Sequence, residues 1–256
     1  MTHPNENKAT VDAAITSRRS IRAFLPTAVE RAMVEEILEV ASRAPSGTNT
    51  QPWRVYVLTG EAKATLSQKI VQAYDDPAQC AEHTEEYAYY STRRSSPFIE
   101  RRRKVGWDLY GLLGIDKADR AAMHAQHRRN YKFFDAPVGL IFTIDRILCQ
   151  GSWLDYGMFL QNVMVGARAR GLDACPQAAF TQFHRIIMQH LVLPDNEQVV
   201  YGMSLDYADP QAVENRLITE RAPLGDFARF VDRSPVAPPP PVGSPATSNQ
   251  STGTRP

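Results

Sequence analysis

The stretch APVGLIFTID (136–145) decides the fold: a nearly continuous apolar run of strand length, as in a strand buried on both faces. Shortly after it, SWLDYGMFLQNVMVGARARG (152–171) reads as a largely apolar helix with Gly171 placed as its C-terminal cap. This helix is expected at the centre of the fold. Working outward, WRVYVLTG (53–60) alternates and is β-branched, a second strand closed by Gly60, and EQVVYGMSLDY (197–207) is a third.

Helical spacing fills most of what remains. In PTAVERAMVEEILEVASRA (26–44), Val29, Met33, Ile37, Val40 and Ala41 form a stripe suited to burial, and Thr27 with Glu30 gives the T-x-x-E capping-box pattern. Further helices are expected over TVDAAITSR (10–18), EAKATLSQKIVQAY (61–74), 98–113, 117–130 and TQFHRIIMQHL (181–191). The first of these sets Val11, Ala14 and Ile15 on one face. Residues 75–95 read as irregular and polar, between Pro77 and Pro97. The class is α+β, with more helix than strand. Residues 1–9 and the Pro/Ser-rich tail 234–256 are expected to be disordered, leaving 10–233 as one domain.

Composition narrows the function. With 43% hydrophobic and 22% charged residues, the 256-residue chain can bury a sizeable core. Its 29 basic and 28 acidic residues nearly balance, which argues against a nucleic-acid binder. Cys80, Cys149 and Cys175 are odd in number and far apart, so a reducing compartment is expected. No stretch has the character of a signal peptide or a membrane span, so a cytoplasmic, membrane-free protein is expected.

The common catalytic signatures are missing: no G-x-x-x-x-G-K-[ST], G-x-G-x-x-G or G-x-S-x-G occurs. His124 and His127 read as polar helix positions rather than metal ligands, and Cys175 as a packed residue rather than a nucleophile. A chain without its own nucleophile can leave the chemistry to a cofactor. The best clue to one is SRRSIRAF (17–24), where Arg18, Arg19 and Arg22 crowd beside the apolar Ile21 and Phe24. A bound phosphate would offset their mutual repulsion, with Ser20 adding a hydroxyl. The alternative is an exposed helix end whose arginines complement the dipole.

Read together with ASRAPSGTNTQPW (41–53), ARGLDACPQAAF (169–180) and ENRLITERAPLGDF (214–227), this segment resembles the nitroreductase family of flavoproteins. PFIERRRKVGWDLYGLLGI (97–115) and RRNYKFFDAPVGL (128–140) resemble its nitrobenzoate and nitrobenzene reductase branch. The resemblance runs over about residues 10–232, in the family's order. It implies a mixed, antiparallel-type sheet surrounded by helices, a homodimer with FMN at the subunit interface, and residues 75–135 as a variable helical cover over the site.

By position, the resemblance assigns Arg18, Arg19 and Ser20 to the FMN phosphate and pyrimidine edge, and Arg22 to the N1–O2 edge. It assigns Arg221 to the phosphate, and Pro45, Ser46, Gly47 and Asn49 to a loop along the flavin and ribityl chain. Pro176, Gln177, Ala178 and Ala179 fall opposite N5, where a backbone N–H donates; relatives carry Glu-Gly in place of Ala178-Ala179. Asn130 is a further candidate for the flavin edge. The implied activity is ping-pong transfer from NADH or NADPH to a small electron acceptor. A nitroarene is the first reading of that acceptor. A quinone, an enone or a halogenated phenol is the alternative, and a non-catalytic helical binding module is the remote one. Tyr131, Phe133, Phe134, Phe98 and Trp107 are available either to face a substrate ring or to fill core, and Arg101–Lys104 to attract an anionic substrate.

Overall fold

The computed structural model describes residues 4–93 and 95–232, so the expected tail from Ser234 lies outside the described residues. The chain divides into two units, one ending at Ile218 and one beginning at Thr219. None of the described side chains from Thr219 onward is buried.

The first unit carries α1 (Pro4–Ser17), α2 (Arg31–Ala41), β1 (Arg54–Leu58), α3 (Gly60–Asp75), α4 (Pro77–Glu82), α5 (Phe98–Leu112), α6 (Arg120–Arg128), β2 (Val138–Asp145), α7 (Gln150–Ala169), β3 (Asp173–Gln177), α8 (His184–Leu191) and β4 (Glu197–Asp206). The second carries the single turn α9 (Leu224–Phe227). Four strands form one sheet in the order β1-β2-β4-β3, with every neighbouring pair antiparallel. Among the described residues, only the isolated Ser20–Ala174 bridge is parallel.

β2 is buried on both faces because it lies inside the sheet between two helical layers. Leu140, Phe142 and Ile144 join Val34, Ile37 and Ala41 of α2 and Tyr156, Phe159 and Val163 of α7 in one core. On the opposite face Ile141 packs with Leu66 and Ile70 of α3, Phe180, Phe183 and Ile187. Glycine lets aromatic rings lie directly on the sheet: a Cβ on Gly139 would stand 2.7 Å from the Phe133 ring, and one on Gly202 2.2 Å from Phe180. Past α7, Gly171 takes the left-handed φ of +79° that a helix stop of this type favours.

Several expectations change. β3 is a fourth strand hidden in DACPQ, because a five-residue run with Asp and Pro lacks a strand's usual composition. It pairs with β4 alone among the strands, and an edge position tolerates Pro176, which has no N–H for a ladder. The helix expected at 10–18 begins at Pro4; proline suits a first helical turn, where N–H groups lack partners. Val11 and Ile15 on that helix are exposed. The Thr27–Glu30 capping box does not form: α2 starts at Arg31, and Glu30 is its N-cap without a side-chain cap bond. The stripe of α2 is rotated accordingly, burying Val34, Ile37 and Ala41 while Val40 is 49% exposed. Within 75–95, Asp76 caps the short helix α4 by accepting from Ala78 and Gln79 N–H groups.

Candidate functional site

The segment after α1 leaves the helix and lies along the sheet edge. Ser20 bridges Ala174 of β3, and Ile21 N–H donates to Ala174 O at 3.2 Å. Leu25 N–H donates to Tyr207 O at 2.9 Å, and Asp209 N–H to Ala23 O at 3.0 Å, so the segment continues along the chain beyond β4. Ile21 and Phe24 are buried with Phe134, Ala136 and Cys175. These apolar contacts and backbone bonds fix the direction in which the arginines leave the chain.

Arg18 and Arg22 lie within electrostatic reach of the buried Cys175 thiol, which they oppose as burial pushes it up to about 11. Cys175 therefore stays a thiol at neutral pH, in keeping with its reading as a packed residue. Arg22 N–H donates to Asn215 Oδ1 at 2.8 Å, and Arg22 Nη1 to Ser20 O at 3.1 Å. Arg19 lines, with Ile21, Arg168, Asp173, Asn215 and Arg216, a cavity of about 520 Å³. Burial raises the Asp173 carboxyl, while Arg168, Arg19 and Arg18 draw it back down.

Farther along β3, Gln177 is buried at 2% exposure. Ser204 Oγ donates to its Oε1 at 2.6 Å, and its Nε2 donates to Asn130 O at 2.7 Å. Gln177 thus ties the corner Pro176–Ala179 to β4 and to the turn carrying Asn130. Pro176, Ala178, Ala179 and Asn130 are all half-buried. Asn130 Nδ2 is engaged by His127 O at 2.8 Å. Among residues of the first unit, Arg18, Ser20, Arg22, Pro176, Gln177, Ala178, Ala179 and Asn130 are thereby strung along or beside one edge strand.

The loop Pro45–Asn49 is held elsewhere, on α7. Gly47 N–H donates to Asp155 Oδ2 at 3.0 Å, and Gln51 N–H to Ser46 Oγ at 3.0 Å. Thr48, Asn49 and Gln51 all have left-handed φ, at 50°, 61° and 50°, a conformation unusual for residues with a side chain. Thirteen residues farther along α7, Arg168 Nε donates to Ser17 Oγ at 3.0 Å and Nη1 to Asp173 Oδ2 at 3.0 Å. That length of helix spans about 20 Å, so within one chain the loop and the Arg18–Ser20 stretch are anchored at opposite ends of α7. Arg221 lies in the second unit, exposed, with Nη1 donating to Thr219 Oγ1 at 2.7 Å and to Glu220 O at 3.0 Å.

Asp155, Arg168 and Asn215 were not singled out from the sequence. A lone carboxylate in the apolar first half of the α7 sequence was a usable signal for Asp155; the other two act across chain distances that no local pattern exposes. Tyr131, Phe133 and Phe134 are core, at 0%, 0% and 2% exposure. Phe98 and Trp107 on α5 are exposed, at 68% and 39%, and no residue of α5 is buried. The basic run of α5 is partly engaged: Arg102 stacks over the Tyr90 ring at 4.1 Å, and Lys104 pairs with Asp108 at 2.8 Å. No group of three or more His, Cys, Asp or Glu side chains suited to a metal occurs among the described residues.

Comparison with known proteins places this geometry. The nitroreductase family model matches residues 15–207. The chain is 45% identical over 220 residues to a 4-nitrobenzoate reductase of Pseudomonas putida, covering 86% of this chain and 95% of that protein. It is 40% identical over 221 residues to a nitrobenzene nitroreductase of Ectopseudomonas oleovorans, covering 86% and 96%. Among solved structures, the FMN-dependent nitroreductase NfnB of Mycobacterium smegmatis in complex with NADPH superposes with a TM-score of 0.83 at 28% identity, covering 88% of this chain and 99% of that one.

Proposed function

The chain belongs to the nitroreductase family, and on that footing we propose that it is an FMN-dependent oxidoreductase that takes hydride from NADPH or NADH and reduces nitroaromatic compounds to hydroxylamines. The observation that carries this reading is the edge-strand arrangement: Arg18, Ser20 and Arg22 set beside β3, with the small-residue corner Pro176–Ala179 at its far end. The donor set fits FMN. Two guanidiniums and a hydroxyl suit a phosphate and the electron-rich pyrimidine edge, and Arg22 has only Nη1 committed, to Ser20 O. FMN held there would supply the redox chemistry of a hydride and electron carrier.

The chain's own residues bind, orient and stabilise. Arg18 and Ser20 hold the phosphate end. Arg22, fixed through Asn215, places a permanent cation where negative charge develops, at no reorganisation cost during the reaction. The Ser204–Gln177–Asn130 bonds hold the corner 176–179, where side chains of alanine size leave room for a flat acceptor. Arg19 adds a further charge beside Arg18.

We propose further that the protein acts as a homodimer. Leu154 and Met158, one turn apart on α7, are 75% and 40% exposed. The loop Pro45–Asn49 is held by Asp155, the neighbour of Leu154, so it borders the apolar stripe that a second copy would cover. A partner then brings its loop to a site that one chain leaves open. The three cysteines are free, which fits a reducing, cytoplasmic setting, and no helix among the described residues is long and apolar enough to cross a membrane.

The test is direct. Purified protein should be yellow and release FMN on denaturation. Under anaerobic conditions it should oxidise NADPH or NADH in the presence of 4-nitrobenzoate or nitrobenzene, with quinones and enones as comparison acceptors. A colourless protein that also fails to take up added FMN would overturn the reading.

A further inference from the structure

A basic cavity of about 340 Å³ lies between α3 and the turn Arg129–Asp135, lined in part by Lys63, Ser67, Gln68, Arg128, Lys132 and Asp135. α3 packs on the sheet face opposite α7, so this cavity is separate from the loop and the apolar stripe on α7. Three cationic side chains there face one carboxylate. Arg128 is committed to Asp75, 2.7 Å away. Lys63 is half-buried and donates to Ala136 O at 2.6 Å; burial draws its pKa down, with Asp135 partly opposing. Lys132 has no ion pair or hydrogen bond among the described residues. Ser67 is only 9% exposed, and its Oγ has no hydrogen-bond partner.

The backbone that builds this wall is unusual. Phe133, Phe134 and Asp135 are consecutive and all left-handed, with φ of 54°, 51° and 67°. Side chains disfavour that region, so the turn persists because Phe133 and Phe134 are locked in the core. It sets Lys132 and Asp135 at the rim while Ala136 O meets Lys63. An unpaired ammonium, a half-desolvated second one and an orphaned hydroxyl together lack one partner, an anion.

We propose that this cavity binds a phosphate group, free or carried on a small ester, with Lys132 and Lys63 supplying charge and Ser67 Oγ a hydrogen bond. The site is independent of the FMN reading. The test uses the FMN-loaded full chain, so that the flavin site is already filled. Thermal unfolding is followed against inorganic phosphate, and separately against adenosine 2′-monophosphate, with sodium chloride holding ionic strength constant. A saturable rise in Tm is expected, because a ligand that binds only the folded state stabilises it. Lys132→Ala should raise the half-saturating concentration at least tenfold and Ser67→Ala about threefold, while Lys132→Arg retains binding. Lys132 is exposed, so its loss should leave the ligand-free Tm unchanged. A nucleotide half-saturating at least tenfold below phosphate supports an ester as the ligand; equal values support free phosphate. No saturable rise with either ligand, or the same rise in Lys132→Ala as in the wild type, overturns the proposal.

Discussion

Asp206 stands directly across the β3–β4 ladder from Asp173. The two carboxylates differ in their partners: Asp173 is bonded by Arg168 at 3.0 Å, whereas neither oxygen of the fully buried Asp206 meets a side-chain donor. Burial lifts the Asp206 carboxyl from 3.8 to about 6, with the Tyr207 backbone N–H drawing it partly back. A raised carboxyl favours the folded state while protonated, and that contribution is lost as pH rises from 3.8 through about 6. Asp206→Asn should therefore match the wild type near pH 4 and exceed it by about 1–3 kcal/mol at pH 8. Denaturant titrations at both pH values measure this; equal stability at pH 8 contradicts it.

Glu197 has the opposite sign. Burial raises its carboxyl, but bonds from Thr143 at 2.5 Å, Arg54 at 2.7 Å and Tyr56 at 2.9 Å outweigh this and leave it depressed. Its stabilising contribution is present above the ordinary value of 4.5 and is lost as pH falls through the folded-state value. Thermal unfolding of Glu197→Gln should thus be less sensitive to acid below pH 4.5 than that of the wild type. Parallel slopes would count against the assignment.

Gly202 is filled by its neighbour. With a methyl only 2.2 Å from the Phe180 ring, Gly202→Ala must displace that ring from its 4.5 Å stack on Phe133. A loss of about 1–3 kcal/mol is expected from overpacking, read by chemical denaturation. A neutral substitution would mean that the ring moves freely.

The arginine cluster is tested residue by residue. Arg18→Ala and Arg19→Ala should each weaken FMN retention by about 1.5–3 kcal/mol, the value of a charge-assisted bond. Arg22→Ala should slow flavin reduction by NADPH, measured anaerobically by stopped flow. Wild-type FMN affinity in both the Arg18 and Arg19 variants would contradict the phosphate assignment.

The dimer is tested at Leu154. Leu154→Asp places a charge in the exposed stripe of α7 and should yield a monomer that loses FMN, seen by sedimentation and by absorbance. A variant that remains dimeric with flavin bound would place the interface elsewhere.

Most elements were readable because they have a strong local period. The doubly buried β2 and the apolar α7 announced the core, and alternation in 53–60 and 197–207 announced two more strands. β3 escaped because Pro176 and Asp173 deny it a strand's composition, and its pairing with β4 is set by residues some thirty positions away. The α2 start escaped because the T-x-x-E pattern names a possible cap, whereas packing of Val34, Ile37 and Ala41 on α7 chose the register.

Residue types at SRRSIRAF, PSGTNT and PQAA were enough, with their order, to name the family and its flavin chemistry. Which way each side chain faces was not in the letters. The Gln177 side chain braces the corner, because Ser204 and the Asn130 carbonyl lie within hydrogen-bond reach only after the sheet and the turn have assembled. Local periodicity and residue chemistry act over a few positions and survive in the sequence. Side-chain direction and partnership depend on long-range backbone pairing, and only the tertiary structure decided them.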